Sequence, residues 1–321
     1  MARVSATARV SEKARAKINL TLRILGRRAD GYHELESLVA FAAVGDLITL
    51  DTSGDLLARR ALRMFARRRP ADPMRVDAPS NELTVSGPFA ARIEGANLVD
   101  RAIELLWRSH PDMFFGRVTL DKQLPVAAGL GGGSADAAAV LRAMRTLNPG
   151  HAGTVDWLGI ACQLGADVPV CLLDRPAVMR GIGERTTPFD VPAFAAVLVN
   201  PQTPVAADKT RRVFQTLAAS PVSASGKGSR LEAGVADLAQ LIGLMRRHGN
   251  DLERPALAVM PTIADVMAVL LGCPGCLHAQ LSGAGPTCFG LFANEQDADS
   301  AALSVSAKHP SWWVRATTIG G

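Results

Sequence analysis

Leu124-Pro125-Val126-Ala127-Ala128-Gly129-Leu130-Gly131-Gly132-Gly133-Ser134-Ala135-Asp136 decides how this chain is read. Four glycines fall within five residues. Before them, Arg117 to Leu124 alternates like a strand; after them, Ala135 to Leu147 is an alanine-rich helix. Glycine tolerates positive φ and lets backbone approach a ligand closely. Successive N–H groups can then point into one concavity, a nest for anions. The helix start adds unpaired N–H groups and the positive end of its dipole. A di- or triphosphate suits such a loop, and the Ser134 hydroxyl can reach a phosphate oxygen or a phosphate-bound Mg²⁺. Two familiar phosphate loops do not fit. No Lys-Ser or Lys-Thr pair closes the glycines, so this is no Walker A. Gly129-x-Gly131-x-x-Ser134 lacks the last small apolar residue of the dinucleotide fingerprint, and no βαβ unit frames it. Taken alone, the glycines also fit a tight turn without a ligand, so the rest of the chain has to decide.

Working outward from the glycines, strand and helix signals mix without regular alternation. Ile18, Leu20 and Leu22 alternate with polar residues, and Leu38 to Leu50 is strand-like and apolar. Asn97 reads as a helix N-cap before Val99, Ile103 and Leu106. Thr154 reads as the cap of a helix carrying Trp157, Ala161 and Leu164 and stopped by Gly165. Val168 to Leu173 reads as a short buried strand. Helices are expected over Leu231–Arg247 and Pro261–Leu271, and a last strand over Trp312–Ile319. A second glycine turn, Ser282-Gly283-Ala284-Gly285-Pro286, separates two apolar segments. The expected class is α+β rather than doubly wound α/β.

Length and composition narrow the function. A chain of 321 residues suits two domains or one large one. Its 48% hydrophobic and 20% charged residues exclude a disordered or collagen-like chain. No run of apolar residues is long enough for a membrane span. The net charge of +5 is local. Between Arg59 and Arg75 seven arginines meet one acid, Asp72, giving +6 and leaving −1 for all other residues. A nucleic-acid module is therefore disfavoured. The segment Asp51–Pro79 reads as an exposed excursion, and Pro221–Arg230 as a loop. Five cysteines, an odd number, and a start without an apolar signal region fit a reducing cytoplasm. Cys273-Pro-Gly-Cys276 has redox spacing, but no second pair completes a zinc site, and a turn role is favoured.

The glycine loop resembles the phosphate loop of the GHMP kinase superfamily. Ala16-Lys17-Ile18-Asn19-Leu20 is similar to that family's first motif, and Leu281 to Thr287 to its third. Gly26 to Leu35 and Leu164 to Pro169 resemble one subgroup, which acts on a cytidine diphosphate-linked methylerythritol. The resemblance implies a two-domain α+β fold, divided as 1–178 and 179–321, with the site in the cleft between the halves. It implies ATP-dependent phosphorylation of the 2-hydroxyl of that alcohol, with ATP and Mg²⁺ as cofactors. Expected partners are these small molecules, with no nucleic acid and no membrane, in a cytoplasmic monomer or weak dimer. Lys17 and Asp167 fall on the family's catalytic pair. ATP is expected along Pro125, Val126, Ala127, Ala128, Gly129, Leu130, Gly131, Gly132, Gly133, Ser134 and Ala135, with Asn97 and Val99 at the adenine pocket. Substrate is expected at Asn19, Tyr32, His33, Ala166, Gly181 and Ile182, the ring of Tyr32 and the imidazole of His33 holding the cytosine. No side chain is assigned as a metal ligand. Ser282 to Thr287 either supports the phosphate loop or touches substrate.

Overall fold

The computed structural model describes residues 9–52, 83–93, 95–204, 206, 208–222, 231 and 234–321. The arginine cluster and nearly all of the Pro221–Arg230 loop lie outside the described residues.

The spine is β3 (His33–Asp51). Its central residues, Leu38 to Ala42, are buried on both faces and form a continuous apolar run, as expected of a strand covered on both sides. It pairs antiparallel with β1 (Arg9–Asn19), β2 (Arg23–Arg27), β5 (Arg117–Asp121) and β6 (Ala177–Gly181). β4 (Leu83–Ser86) adds to β5 in parallel, and β7 (Arg185–Pro188) adds to β6. The sheet continues through β11 (Trp313–Ile319) to β8 (Phe194–Asn200), β10 (Cys288–Phe292) and β9 (Cys276–Leu281). Residue 178, where the division between halves is expected, lies inside β6.

On one side, α1 (Leu98–Ser109), α2 (Gly132–Leu147), α3 (Trp157–Leu164) and α4 (Val168–Leu173) cover the β1–β3–β5 region. Val39, Phe41, Ile48 and Leu50 meet Val99, Leu106, Leu141, Ile160 and Val170 there. Further along the chain come α5 (Lys209–Leu217), α6 (Leu238–His248), α7 (Glu253–Val259), α8 (Thr262–Leu271) and α9 (Glu295–Lys308). α8 and α9 pack on β8–β10, with Ile263, Leu270 and Val305 against Val197, Leu281 and Phe292. A middle cluster joins Ile18, Leu20, Leu38 and Leu124 to Leu198, Leu241, Phe289 and Trp313.

Three local expectations change. Val168–Leu173 is the helix α4, not a strand. Pro169 stands in its first turn, where a missing N–H costs nothing and its fixed φ suits a helix. The Cys171 N–H reaches Asp167 O at 3.2 Å and Asp174 N–H reaches Val170 O at 3.1 Å. Asp156, not Thr154, caps α3, its Oδ1 accepting from Gly159 N–H at 2.8 Å. In the amphipathic stretch from Leu231 the described helix starts at Leu238, where Asp237 accepts from Gln240 N–H at 2.8 Å. Among the described residues no helix is long and apolar enough to cross a membrane.

Candidate active site

The glycine loop opens α2. Gly131 stands in the left-handed region, φ 62°. The first helical bond runs from Ala135 N–H to Gly131 O, 2.8 Å. The N–H groups of Gly132, Gly133 and Ser134 therefore precede the helical ladder. Just before them, three successive carbonyls are held from the C-terminal half. Ala127 O accepts from Lys209 Nζ at 3.0 Å, Ala128 O from Thr287 N–H at 3.0 Å, and Gly129 O from Ser282 Oγ at 3.0 Å. In a trans peptide the C=O and the next N–H point opposite ways. The N–H groups of Ala128, Gly129 and Leu130 are thus turned away from the C-terminal turn. A Cβ on Gly129 would lie 2.6 Å from Ser282 O, and one on Gly131 would lie 3.2 Å from the Lys17 side chain. Tightness on both sides and outward N–H groups make a cradle that fits a polyphosphate.

Beneath the loop lies a buried ion cluster that sequence reading missed. Lys122 Nζ donates to Asp46 Oδ2 and, at 2.7 Å, to Asp136 Oδ2. Asp46 Oδ1 also accepts from Gln123 and Leu124 N–H at 2.6 and 2.7 Å, fixing the strand end that enters the loop. Burial pushes the Asp136 carboxyl above the usual range. Burial works against the Lys122 ammonium, but its two carboxylates outweigh that and raise it. The available signal was an acid inside an otherwise apolar strand, since buried charges demand partners.

Lys17 of the first motif meets Asp167 of the Leu164–Pro169 segment. Lys17 Nζ donates to Asp167 Oδ1 at 2.9 Å and to Asn19 Oδ1 at 3.3 Å. A register shift in β1 between Arg15 and Lys17 precedes the pair, and Lys17 N–H is tied to Leu130 O at 2.9 Å. The Lys17 side chain is buried, whereas the Asp167 side chain keeps 37% of its surface exposed. Asp167 precedes α4 without capping it through its side chain, so its carboxylate is left facing the cleft. Asn19 is held in turn by Ser37 Oγ at 2.7 Å.

These groups line a cleft of ≈ 1040 Å³, together with Tyr32, His33, Ser134, Ala166 and Ile182. That is at the upper end for one drug-sized ligand and leaves room for a second. His33 stacks on Phe214 of α5, ring centres 4.6 Å apart, while Tyr32 stands 60% exposed beside them. Burial, aided by Arg27, lowers the His33 pKa, which favours the neutral ring. Phe214 went unnoticed in the sequence because nothing marks one phenylalanine on a helix as a ligand group. Val99 is fully buried in the core, and Asn97 Oδ1 caps α1 by accepting from Val99 N–H at 3.0 Å. Leu98, between them, approaches Gly133 of the loop. Gly181 is buried just behind Ile182. Ser282 and Thr287 support the loop, while Gly283 and Ala284 line the cleft. Among the described residues no three His, Cys, Asp or Glu side chains gather as a metal site. A Mg²⁺ here would depend on phosphate oxygens, with Ser134 the protein oxygen within the cradle. Cys273 and Cys276 are free thiols, Cys273 in the turn before β9 and Cys276 its first residue.

Known proteins are similar to this chain in sequence and fold. The family model described as "GHMP kinases N terminal domain" matches residues 97–175, and "GHMP kinases C terminal" matches residues 232–311. The chain is 44% identical over 316 residues to the 4-diphosphocytidyl-2-C-methyl-D-erythritol kinase of Parvibaculum lavamentivorans, covering 97% of this chain and 99% of that protein. The chain belongs to the GHMP kinase family. A kinase with the same printed name from Rhodopseudomonas palustris is 40% identical, over 98% and 99% of the two chains. A crystal structure of 4-(cytidine 5'-diphospho)-2C-methyl-D-erythritol kinase superposes with a TM-score of 0.70 at 31% identity, covering 97% of this chain and all of the other. This GHMP kinase is thus an ATP-dependent phosphotransferase with the α+β fold expected from its glycine loop.

Proposed function

We propose that this kinase transfers the terminal phosphoryl group of ATP to the 2-hydroxyl of 4-diphosphocytidyl-2-C-methyl-D-erythritol, giving the 2-phosphate and ADP. The observation that carries the reading is the Lys17–Asp167 contact of 2.9 Å, set between the glycine cradle and the His33–Phe214 slot in one cleft. The names of the relatives supply the substrate. The stacked His33–Phe214 pair offers the cytosine an aromatic face, with Tyr32 beside it and imidazole to bond the base edge. Asp167 accepts the hydroxyl proton as the new O–P bond forms and the bond to the ADP oxygen breaks. Lys17 holds that carboxylate in place and stabilises charge on the transferring group. Asn19 orients the ammonium. The loop N–H groups hold the donor phosphates, which is most of what phosphoryl transfer asks of a protein. Mg²⁺ bound with the donor would be held by phosphate oxygens and the Ser134 hydroxyl and would supply charge neutralisation there. Five unpaired cysteines support a cytoplasmic setting.

The test is ADP release with Mg-ATP, comparing the cytidyl alcohol with the free tetrol phosphate, homoserine and mevalonate. Turnover confined to the cytidyl alcohol is expected. Turnover of another alcohol instead would remove the cytosine slot and leave the phosphate cradle standing.

A further inference from the structure

We propose that Lys209 is a positioning residue for the phosphate donor, its ammonium clamping the entry of the glycine loop onto the second glycine turn. Lys209 opens α5, distant in sequence from every motif that suggested the function. It is 4% exposed. Its Nζ donates to Ala127 O at 3.0 Å and to Gly285 O. Among the described residues it has no carboxylate partner, and burial alone pushes its pKa down to about 8. An unpaired buried ammonium is a costly choice for a fold that only needs volume filled there. The two carbonyls it joins explain its presence.

Ala127 O is the first of the three carbonyls held from the C-terminal half, and among the described residues Lys209 is the one side chain that hydrogen-bonds both this carbonyl and Gly285 O at the far end of the second turn. Ala127 itself has φ 55°, a strained value for a residue with a Cβ. Holding its carbonyl fixes the peptide whose N–H, on Ala128, begins the row turned away from that turn. Lys209 therefore acts on the anion through the loop. Its charge, placed behind the cradle on the cleft wall, also favours a polyanion in front of it.

The inference rests on the reading of the cleft as an ATP site, so the test avoids turnover. Equilibrium binding of Mg-AMP-PNP and, separately, of cytidine diphosphate is measured on the full chain, wild type and Lys209→Met, Lys209→Gln and Lys209→Arg, with thermal melting alongside. For Lys209→Met the expected result is AMP-PNP affinity about tenfold weaker or more, the scale of one charge-assisted hydrogen bond, with cytidine diphosphate affinity within about twofold. Lys209→Gln keeps one donor and falls between; Lys209→Arg recovers part of the affinity. Folded Met and Gln variants that bind AMP-PNP like wild type, whatever their melting temperature, overturn the clamp. Should the Met variant not fold, the Gln variant decides alone. A wild type that fails to bind AMP-PNP sinks the ATP reading itself. One that binds it but does not turn over the cytidyl alcohol sinks only the substrate assignment.

Discussion

The burden proposed for Asp167 is separable from nucleotide binding, and it predicts its own loss. Asp167→Asn keeps the shape of the side chain and removes the proposed proton acceptor. A drop in kcat of about 10²–10⁴ is expected, with AMP-PNP and cytidine diphosphate still binding. Retained turnover would leave a nucleotide-binding role without Asp167 chemistry. On the substrate side, Phe214→Ala is expected to raise KM for the cytidyl alcohol by the worth of one stacked base, about 1–3 kcal/mol, while KM for ATP stays level. His33 adds a pH signature. Its pKa is lowered, so the neutral ring is the form the site favours and it protonates only as pH falls below the ordinary value of 6.5. KM for the cytidyl alcohol should therefore climb on the acid side, and His33→Gln should flatten that limb. A limb unchanged in the Gln variant would assign it elsewhere. Lys17, Asp167 and Asn19 were legible as residues because each stands in a motif. Lys122, Asp46 and Phe214 were not, because their meaning lies in what the fold brings beside them.

At the scale of elements, the glycine loop and α2 were readable because backbone chemistry dictates them: no other residue fits where Gly129 meets Ser282 O. α4 was misread because six apolar residues are too few for periodicity to separate helix from strand, and the deciding signal was Pro169 in the first turn. Two substitutions contrast these cases. Gly131→Ala puts a Cβ at φ 62° and 3.2 Å from the Lys17 side chain, straining the loop by about 1–2 kcal/mol and displacing the lysine. Weaker AMP-PNP binding and a lower kcat are expected together; a variant with wild-type kinetics would mean that the loop does not press on Lys17. Asp156→Ala removes the cap of α3, which touches no ligand group. It should lower stability by about 1 kcal/mol, seen as a lower Tm, and leave kcat within about twofold.

Across the whole molecule, the family's two matched parts do not behave as beads on a string. β3 pairs with β1, β5 and β6, yet Ala42 also pairs with Ile319 at the far end of the chain. The middle apolar cluster mixes Ile18, Leu20 and Leu38 with Leu198, Phe289 and Trp313. The three carbonyl ties at residues 127–129 add polar links across the same boundary. Neither half can open without exposing part of that shared cluster, so the two should melt together. Urea unfolding followed by far-ultraviolet circular dichroism and by tryptophan fluorescence tests this, since Trp157 reports on the first half and Trp313 on the second, both nearly buried. Coincident curves with one midpoint are expected, the mark of all-or-none unfolding. Trp313→Phe should leave the fluorescence midpoint, now read by the other tryptophans, on the circular dichroism curve. Two separated steps would instead show that the shared cluster is too weak to couple the halves. The cleft would then be a hinge between independently stable parts, and the loop ties, Lys209 among them, would have to form anew each time it closed.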